Sequence, residues 1–486
     1  MRAPRAVAEK LKELADENPV RLLLRYSWPS LVAMTLNSLY TVVDRAFIGH
    51  GCGVDATAAL TLSMPIVMLF AAFGVFVGVG HAAVLSIKLG EGDRVSCEKL
   101  LGELVSLKLI FFFLLPPIVY FNLDTVLEWC GAADISEGAR ESARTYLKII
   151  LFSNVFSHIA FGLSAAVRAE GGAVRSMVCM IIGFGLNLVL DPLFIFTFDM
   201  GIAGAAWATN IAMAVSCFWV LGYYWRGRTV VRLRLRRMGI YPNLLARASG
   251  IGLAPFLQHF MSSAIAFSLQ FAFVKWMPDE ASRTARLASL GVFQSALILV
   301  FMPMLGAQQG LQPILGYNWG ARNYNRVLET LKTGLWVTAA LCVLAFVVQV
   351  VPPFNFWMAS VFIDSANPGV VAIAAKDLQI SNVMIWCIFL NVVATTYFQS
   401  IGRPGTAIVL SMLRQGGCLL PVIWILPYFI EDKALAIWLS MPVSDVVCNA
   451  VTVIPLCLHM RFLRAASSSR ERLNRRKRSA FSPESV

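Results

Sequence analysis

Residues 173–196 read AVRSMVCMIIGFGLNLVLDPLFIF, an apolar run with a single carboxylate, Asp191, deep inside it. About 20 helical residues cross the roughly 30 Å hydrocarbon core of a bilayer, so a run of this length and composition reads as a membrane span. The same pattern recurs along the whole chain. Apolar runs bounded by Gly, Pro and charge place spans near 20–48, 58–88, 98–121, 141–167, 173–198 and 202–225. A second set lies near 247–277, 285–316, 326–350, 372–400, 404–429 and 434–461. These are spans 1 to 12 below. The fold class that follows is an all-α integral membrane protein, twelve transmembrane helices in two parallel six-helix lobes.

Composition points the same way. The chain is 58% hydrophobic and 14% charged, against about 25% charged in a typical soluble domain. Twelve spans at about 20 residues each take about 240 of the 486 residues and leave only short connections. The net charge of +13 sits at span ends and in the tails, including Arg475, Arg476, Lys477 and Arg478. That is the membrane-protein pattern, not a nucleic-acid surface. The first apolar run, from near Val20 to about Ile48, is too long for the core of a signal peptide. The segment before it, Ala6 to Asn18, reads as an amphipathic lead-in on the membrane surface. The ten Cys are scattered without metal-ligand spacing. Cys52 and Cys130 both belong to the outer side and are expected as thiols.

Basic residues fix the orientation. Thirty of the 41 Lys and Arg fall in the first 25 residues, in the connections after the even-numbered spans, and in the tail from Arg461. The other connections are poorer in Lys and Arg and often acidic, as in Asp124, Glu128, Asp134 and Glu137. By the positive-inside rule both termini are expected in the cytoplasm. The expected organisation is a lead-in (1–19), an N-lobe (20–225), a basic linker (226–246), a C-lobe (247–461) and a basic tail (462–486).

The two lobes are repeats offset by about 230 residues. Pro29 answers Pro255, Trp207 answers Trp438, and Thr209 answers Ser440. Leu89-Gly90-Glu91-Gly92-Asp93 after span 2 answers Trp319-Gly320-Ala321-Arg322-Asn323 after span 8. Six spans per repeat make the repeats parallel, about an axis along the membrane normal. Two such lobes around a cavity suit alternating access.

An ionisable group in mid-span is costly, so it is a functional candidate by default. Asp44 stands late in span 1 and Asp191 inside span 5. Asn187 and Asp191, four residues apart, share a helix face. Pro192 donates no hydrogen bond, so the carbonyl of Leu188 is freed. An amide oxygen, a carboxylate and a loose carbonyl suit a proton or a small cation, and Thr209 in span 6 can add a hydroxyl. If Asp44 closes on this group, two carboxyls share a low-dielectric pocket, where like charge and desolvation both oppose ionisation. Asp44 has a second reading, an interfacial acid paired with Arg45, and Asp191 a second reading as a cap or loop acid.

The sequence resembles the multidrug and toxic compound extrusion (MATE) transporters over roughly residues 20–460. The resemblance rests on Val43-Asp44-Arg45-Ala46-Phe47-Ile48-Gly49, on Asn187 to Phe196, on Gly201 to Thr209 and on Gln312 to Arg322. It looks most like the DinF-type branch. That resemblance implies a cation-coupling site at Asp44, Asn187, Asp191 and Thr209, with Asn37 and Tyr40 lining the substrate cavity. Relatives with a second-lobe cation site carry acids in spans 7 and 10. Here span 7 carries Gln258, His259 and Gln270, and span 10 carries Asn391 and Gln399, with no acid read in either interior. Coupling is therefore expected in the N-lobe alone.

His81, His158 and His259 are expected as packing residues. Asp445 in span 12 and Arg414 in span 11 are expected to pair across the C-lobe. Gly78-Val79-Gly80 is no nucleotide loop, because it lies within a span and no P-loop Lys-Ser/Thr accompanies it. No hydrolase motif is present. The reading is a transporter without enzymatic activity and without a cofactor beyond its coupling ion, H⁺ or Na⁺, which the same carboxylates serve. It exchanges that ion for organic or cationic compounds across the cytoplasmic membrane, as a monomer in the bilayer. One charge moving down about 150 mV supplies roughly 3.5 kcal/mol, enough for a several-hundred-fold gradient. The alternative is a flippase for lipid-linked precursors, for which several cavity-lining cations are expected; mid-span cations are read as few, mainly Arg414.

Overall fold

The computed structural model describes residues 17–130, 136–226, 229–277, 279–362 and 368–480. The first half is built of α1 (Pro19–Glu91), α2 (Arg94–Phe121), a short α3 (Leu123–Trp129), α4 (Glu137–Ala169), α5 (Ala173–Pro192) and α6 (Gly201–Trp225). The second half holds α7 (Pro242–Trp276), α8 (Glu280–Gly320), α9 (Tyr324–Val350), a short α10 (Phe354–Phe362) and α11 (Pro368–Ser381). It continues with α12 (Phe389–Ser400), α13 (Pro404–Met412), α14 (Leu420–Ile425) and α15 (Lys433–Ala480). Polar caps set several starts. Asn18 Oδ1 accepts from Val20 N at 2.9 Å, Asp93 Oδ1 from Ser96 N at 3.1 Å, and Ser136 Oγ from Ala139 N at 3.2 Å. Gly92, at φ +77°, ends α1 in the left-handed conformation.

Spans 1 and 2 both lie in α1, whose helical bonding continues through the expected turn. A straight helix of 73 residues would be about 110 Å long. Its two ends nevertheless meet the same partner: Gly310 of α8 lies against Ser27, and Gly320 of α8 against Ile87. So α1 doubles back as a hairpin. Among the described residues ten helices are long and apolar enough to cross a membrane, and α4, bent by 48° between Phe152 and Asn154, makes an eleventh. The remaining expected span, 20–48, is the first half of α1.

Spans 10, 11 and 12 also differ from the expected single helices. Span 10 is broken into α11 and α12 by a 3₁₀ turn at Ile385–Cys387. Span 11 is interrupted by a π-helical turn at Leu413–Leu419 between α13 and α14. Span 12 continues as α15 to Ala480, through most of the expected tail, where Arg, Ala, Leu and Glu favour helix. The lead-in before residue 17 and Asp134 lie outside the described residues.

The basic connections gather at one end of the bundle. There Glu170 accepts from Tyr224 Oη at 2.9 Å and from the backbone of Val230 at 3.0 Å. Glu103 accepts from Tyr241 N at 2.6 Å, and Glu98 faces Arg234 at 3.2 Å and Arg237 at 3.7 Å. Three first-lobe carboxylates thus hold the linker against the first lobe. At the opposite end Ser136 Oγ donates to Asp55 at 2.7 Å, Arg140 pairs with Glu128, and Arg144 pairs with Asp124. Cys52 and Cys130 are free thiols.

Toward the basic end the two halves meet backbone to backbone. A Cβ at Gly80 would stand 2.1 Å from Ala248 O, and one at Gly252 would stand 2.0 Å from Phe76 O. At Gly90 it would meet Tyr317 O at 1.9 Å, and at Gly320 Ile87 O at 2.0 Å. Glycines on both sides permit this approach, the way closely crossing membrane helices pack.

Candidate functional site

The sequence places polar groups on one face of α5, and the structure buries that face. Asn187 and Asp191 are fully buried, while Leu188 and Val189 between them are 40% and 64% exposed. After Pro192 the helix widens into a π turn, Leu193–Thr197, with Phe198 N donating to Leu193 O at 3.0 Å. Such wide turns form where a proline interrupts the regular ladder.

Asn187 Nδ2 donates to Asp191 Oδ1 at 3.0 Å and to Thr209 Oγ1 of α6 at 3.3 Å. Thr209 Oγ1 in turn donates to Ala205 O at 3.1 Å. From α1, the Asp44 carboxyl comes within hydrogen-bonding reach of the Asp191 carboxyl. Tyr40 joins the same group: its hydroxyl comes within hydrogen-bonding reach of Thr209, and Asp44, Asp191 and Tyr146 stand close by. Its ring stacks on Phe184, with centroids 5.3 Å apart. Four of the residues singled out in the sequence, with Tyr40, therefore meet. Asn37 sits half-buried three residues before Tyr40 on α1. Asp44 meets Asp191; the side chain of Arg45 is not among those described.

Two carboxyls in contact cannot both be ionised cheaply away from water. A hydrogen bond between them needs a proton on one, and ionising both needs a cation between them. Asn187 Oδ1 finds no donor among the described residues, nor does Asp191 Oδ2, beside which Asp44 supplies only a second carboxyl. A proton or a small cation would satisfy these oxygens.

The corresponding region of the second half is built differently. Arg414, at the π turn, donates through Nε to Asp445 Oδ1 of α15 at 2.8 Å, as expected, and lies over the Phe301 ring at 5.7 Å. Ser444 Oγ donates to Arg414 O at 2.9 Å. Asn391 Nδ2 donates to Leu410 O at 3.1 Å and to Thr452 Oγ1 at 3.3 Å. The reading that span 10 holds no acid needs correction. Asp377 of α11 is buried, bonded to Arg286 and to Ser289 Oγ. Its charge is already compensated, so it offers no vacant acidic site.

Other groups escaped the sequence reading. His81 is more than packing: Nδ1 lies 2.9 Å from Val77 O and Nε2 3.4 Å from Glu103 Oε2. Glu103 and Glu170 look interfacial in sequence because their partners are backbone amides 138 and 60 residues away. Lys108, buried at the middle of α2, adds a mid-span cation to Arg414. His259 is on the surface of α7.

The sequence matches the profile of the MatE family over residues 29–193 and again over 260–425. The chain belongs to the MatE family. The two matches begin about 230 residues apart, the spacing of the internal repeat. Among curated relatives, this MatE chain is 24% identical to the multidrug export protein MepA of Staphylococcus aureus strain MSSA476, over 85% of this chain and 88% of that one. It is 22% identical to MepA of Staphylococcus haemolyticus strain JCSC1435, over 90% and 94%. Its fold is similar to an outward-facing multidrug resistance MATE family transporter of the MOP superfamily. The TM-score is 0.86 at 21% identity, covering 96% of this chain and all of the other. A MOP superfamily transporter from Pyrococcus furiosus Vc1, whose binding pocket is described as reversed in polarity, superposes with a TM-score of 0.84 at 21% identity, covering 96% of this chain and all of that one. A MatE chain is a multi-pass membrane transporter, not an enzyme.

Proposed function

We propose that this MatE transporter is a cation-coupled antiporter that exports organic compounds, with H⁺ or Na⁺ as the driving ion. The observation that carries the reading is the meeting of Asp44 with the buried Asp191 in the first half, in a cluster completed by Asn187 and Thr209. A cation or proton arriving there removes the repulsion between the carboxyls. Its departure restores the repulsion, so occupancy favours one packing of α1 against α5 over another. The relatives named as multidrug exporters support organic compounds as cargo. Tyr40, stacked on Phe184 beside the carboxyls, and Asn37 one turn away would line the path of that cargo. The basic end faces the cytoplasm, both termini included, and the protein works as a monomer in the cytoplasmic membrane.

The glycine seam supports a particular state. It brings the lobes together toward the basic end, so the described conformation is closed on the cytoplasmic side. Export then requires the seam to part, admit substrate and re-form. Because Glu98, Glu103 and Glu170 hold the linker, the linker travels with the N-lobe, and the rocking motion bends the chain beyond Tyr241. The flippase reading gains little from Arg414, whose charge is met by Asp445.

Purified protein in proteoliposomes tests the proposal. An imposed inward H⁺ or Na⁺ gradient should drive accumulation of a fluorescent organic cation on the opposite side, and collapse of that gradient should abolish it. Accumulation insensitive to both gradients would overturn the coupling.

A further inference from the structure

His81 of α1 and Glu103 of α2 face each other with side chains 3% and 0% exposed. The ring nitrogen Nδ1 lies 2.9 Å from Val77 O. A carbonyl only accepts, so Nδ1 carries a hydrogen. Nε2 is then the nitrogen turned to Glu103 Oε2, 3.4 Å away. Neither atom has another hydrogen-bond partner among the described residues. The other carboxylate oxygen, Oε1, accepts from Tyr241 N at 2.6 Å. A neutral ring beside an ionised carboxylate would set two lone pairs against each other and leave a buried charge short of donors. One proton between Nε2 and Oε2 removes both conflicts, whether it rests on the ring or on the carboxyl.

No cation takes the place of that proton: among the described residues no Lys or Arg lies within ion-pair distance of Glu103. The charged groups of the surrounding elements have partners of their own. On α2, Glu98 faces Arg234 and Arg237 of the linker, Lys99 Nζ lies 5.0 Å over the Tyr241 ring, and Lys108 donates to Gly74 O. At the end of α1, Lys88 pairs with Glu91 and Asp93. Beside α4, Arg168 donates to Ser176 Oγ, and Glu170 accepts from Tyr224 and Val230. Arg247 of α7 extends toward Gly402 of the other half. The pair also sits where the linker enters α7. A Cβ on Gly102 would stand 2.3 Å from Arg237 O, Met238 packs on the first-half core, and Tyr241 directly precedes α7.

We propose that His81 and Glu103 form a proton-binding site of their own, apart from Asp44 and Asp191, and that its proton fastens the linker to the first half. Loss of the proton to water leaves a bare buried carboxylate opposed by the imidazole lone pair. Hydration relieves that opposition. Ile240 and Pro242, on either side of Tyr241, are exposed, so water reaches the pair by displacing the linker there. High pH at the basic end therefore loosens the chain around Tyr241, and low pH holds it. The site lies on α1, α2 and the linker, and it stands whether or not Asp44 and Asp191 couple transport.

A single cysteine at Met238 tests the site, in full-length protein whose native cysteines are replaced and which is held in nanodiscs. Its labelling rate reports how firmly the linker is held. Glu103→Gln is the comparison, because its amide can donate to Nε2 while its oxygen still accepts from Tyr241 N. It copies the protonated state and has no proton to lose. The ratio of the parent rate to the Glu103→Gln rate cancels the titration of the probe thiol. That ratio should be near one at mildly acidic pH and rise to about tenfold or more at alkaline pH, as loss of a charged hydrogen-bonded contact implies. A ratio that does not change with pH would overturn the proposal. Should Glu103→Gln not fold, the parent protein decides. Its carboxyl infrared absorption and its site-assigned histidine ring-nitrogen resonances should place the proton on Glu103 or on Nε2 at mildly acidic pH. An ionised Glu103 beside a neutral His81 under that condition would overturn the proposal as well.

Discussion

The two lobes both bury charge and treat it in opposite ways. In the N-lobe Asp191 meets another acid, Asp44, with an amide and a hydroxyl beside them. In the C-lobe Asp445 meets an arginine at 2.8 Å, and Asn391 is bonded on several sides. Both lobes carry a π turn in the matching span, Leu193–Thr197 in span 5 and Leu413–Leu419 in span 11, though the two are displaced by about ten residues relative to the repeat. Backbone distortion is therefore shared, and the difference is one of charge. A like-charge pair favours whatever proton or cation relieves its repulsion, which is the coupling proposed above. An opposite-charge pair is complete and holds the lobe together. On the proposed reading, the repeat has kept its frame and divided the work.

The largest effect expected of that division is on transport. Asp191→Asn preserves shape and removes the charge, so gradient-driven export should fall to the passive background while expression and thermal unfolding change little. Flux and melting measurements on the same preparation check both halves. The C-lobe pair should show the converse. Asp445→Ala leaves Arg414 buried without its partner and should cost about 3–5 kcal/mol of stability. The double replacement Arg414→Met with Asp445→Leu should recover most of that loss, because an apolar pair of similar volume is often neutral or better. Melting temperatures of the two single variants and the double variant, with flux for each, decide the matter. A double variant that is stable but uncoupled would break the comparison.

The seam comes next in size. Gly320→Val forces a side chain into Ile87 O, 2.0 Å from where its Cβ would stand. The closure at the basic end should open, seen as faster labelling of single cysteines placed along the seam from that side. Unchanged labelling would mean that the seam is not the gate. The smallest effect concerns Asn391→Ala. It removes buried bonds and should lower stability by about 1–3 kcal/mol, with coupled transport retained per folded molecule.

Much of this was legible in the sequence because membranes punish polarity. Asn187 and Asp191 stand out in an apolar run, and their four-residue spacing puts them on one face. The basic connections announced the shared end, and Trp207 and Trp438 announced the repeat. Lys108 carries the same signal in Leu107-Lys108-Leu109-Ile110-Phe111; the mid-span rule that found Asp44 finds it too when applied to cations. Asp377 beside Lys376 looks like the polar start of a span, and only the approach of Arg286 from α8 shows its burial. Glu103 and Glu170 were illegible for a different reason. They bind main-chain N–H groups of the linker, which carry no residue-specific mark. The turn that ends α11 has only Ser381-Asn382 to hint at it, and Ser and Asn in a span also read as ordinary interhelical polar contacts.

The central claim is that one ion-responsive carboxyl pair in the N-lobe drives the whole transporter. It is tested most directly by a double-mutant cycle of Asp44→Asn and Asp191→Asn, with gradient-driven flux measured in proteoliposomes for all four proteins. If the two carboxyls act as one site, either single substitution should lose nearly as much flux as both together, a coupling worth about 1–3 kcal/mol. Independent, multiplicative losses from the two substitutions would contradict the account.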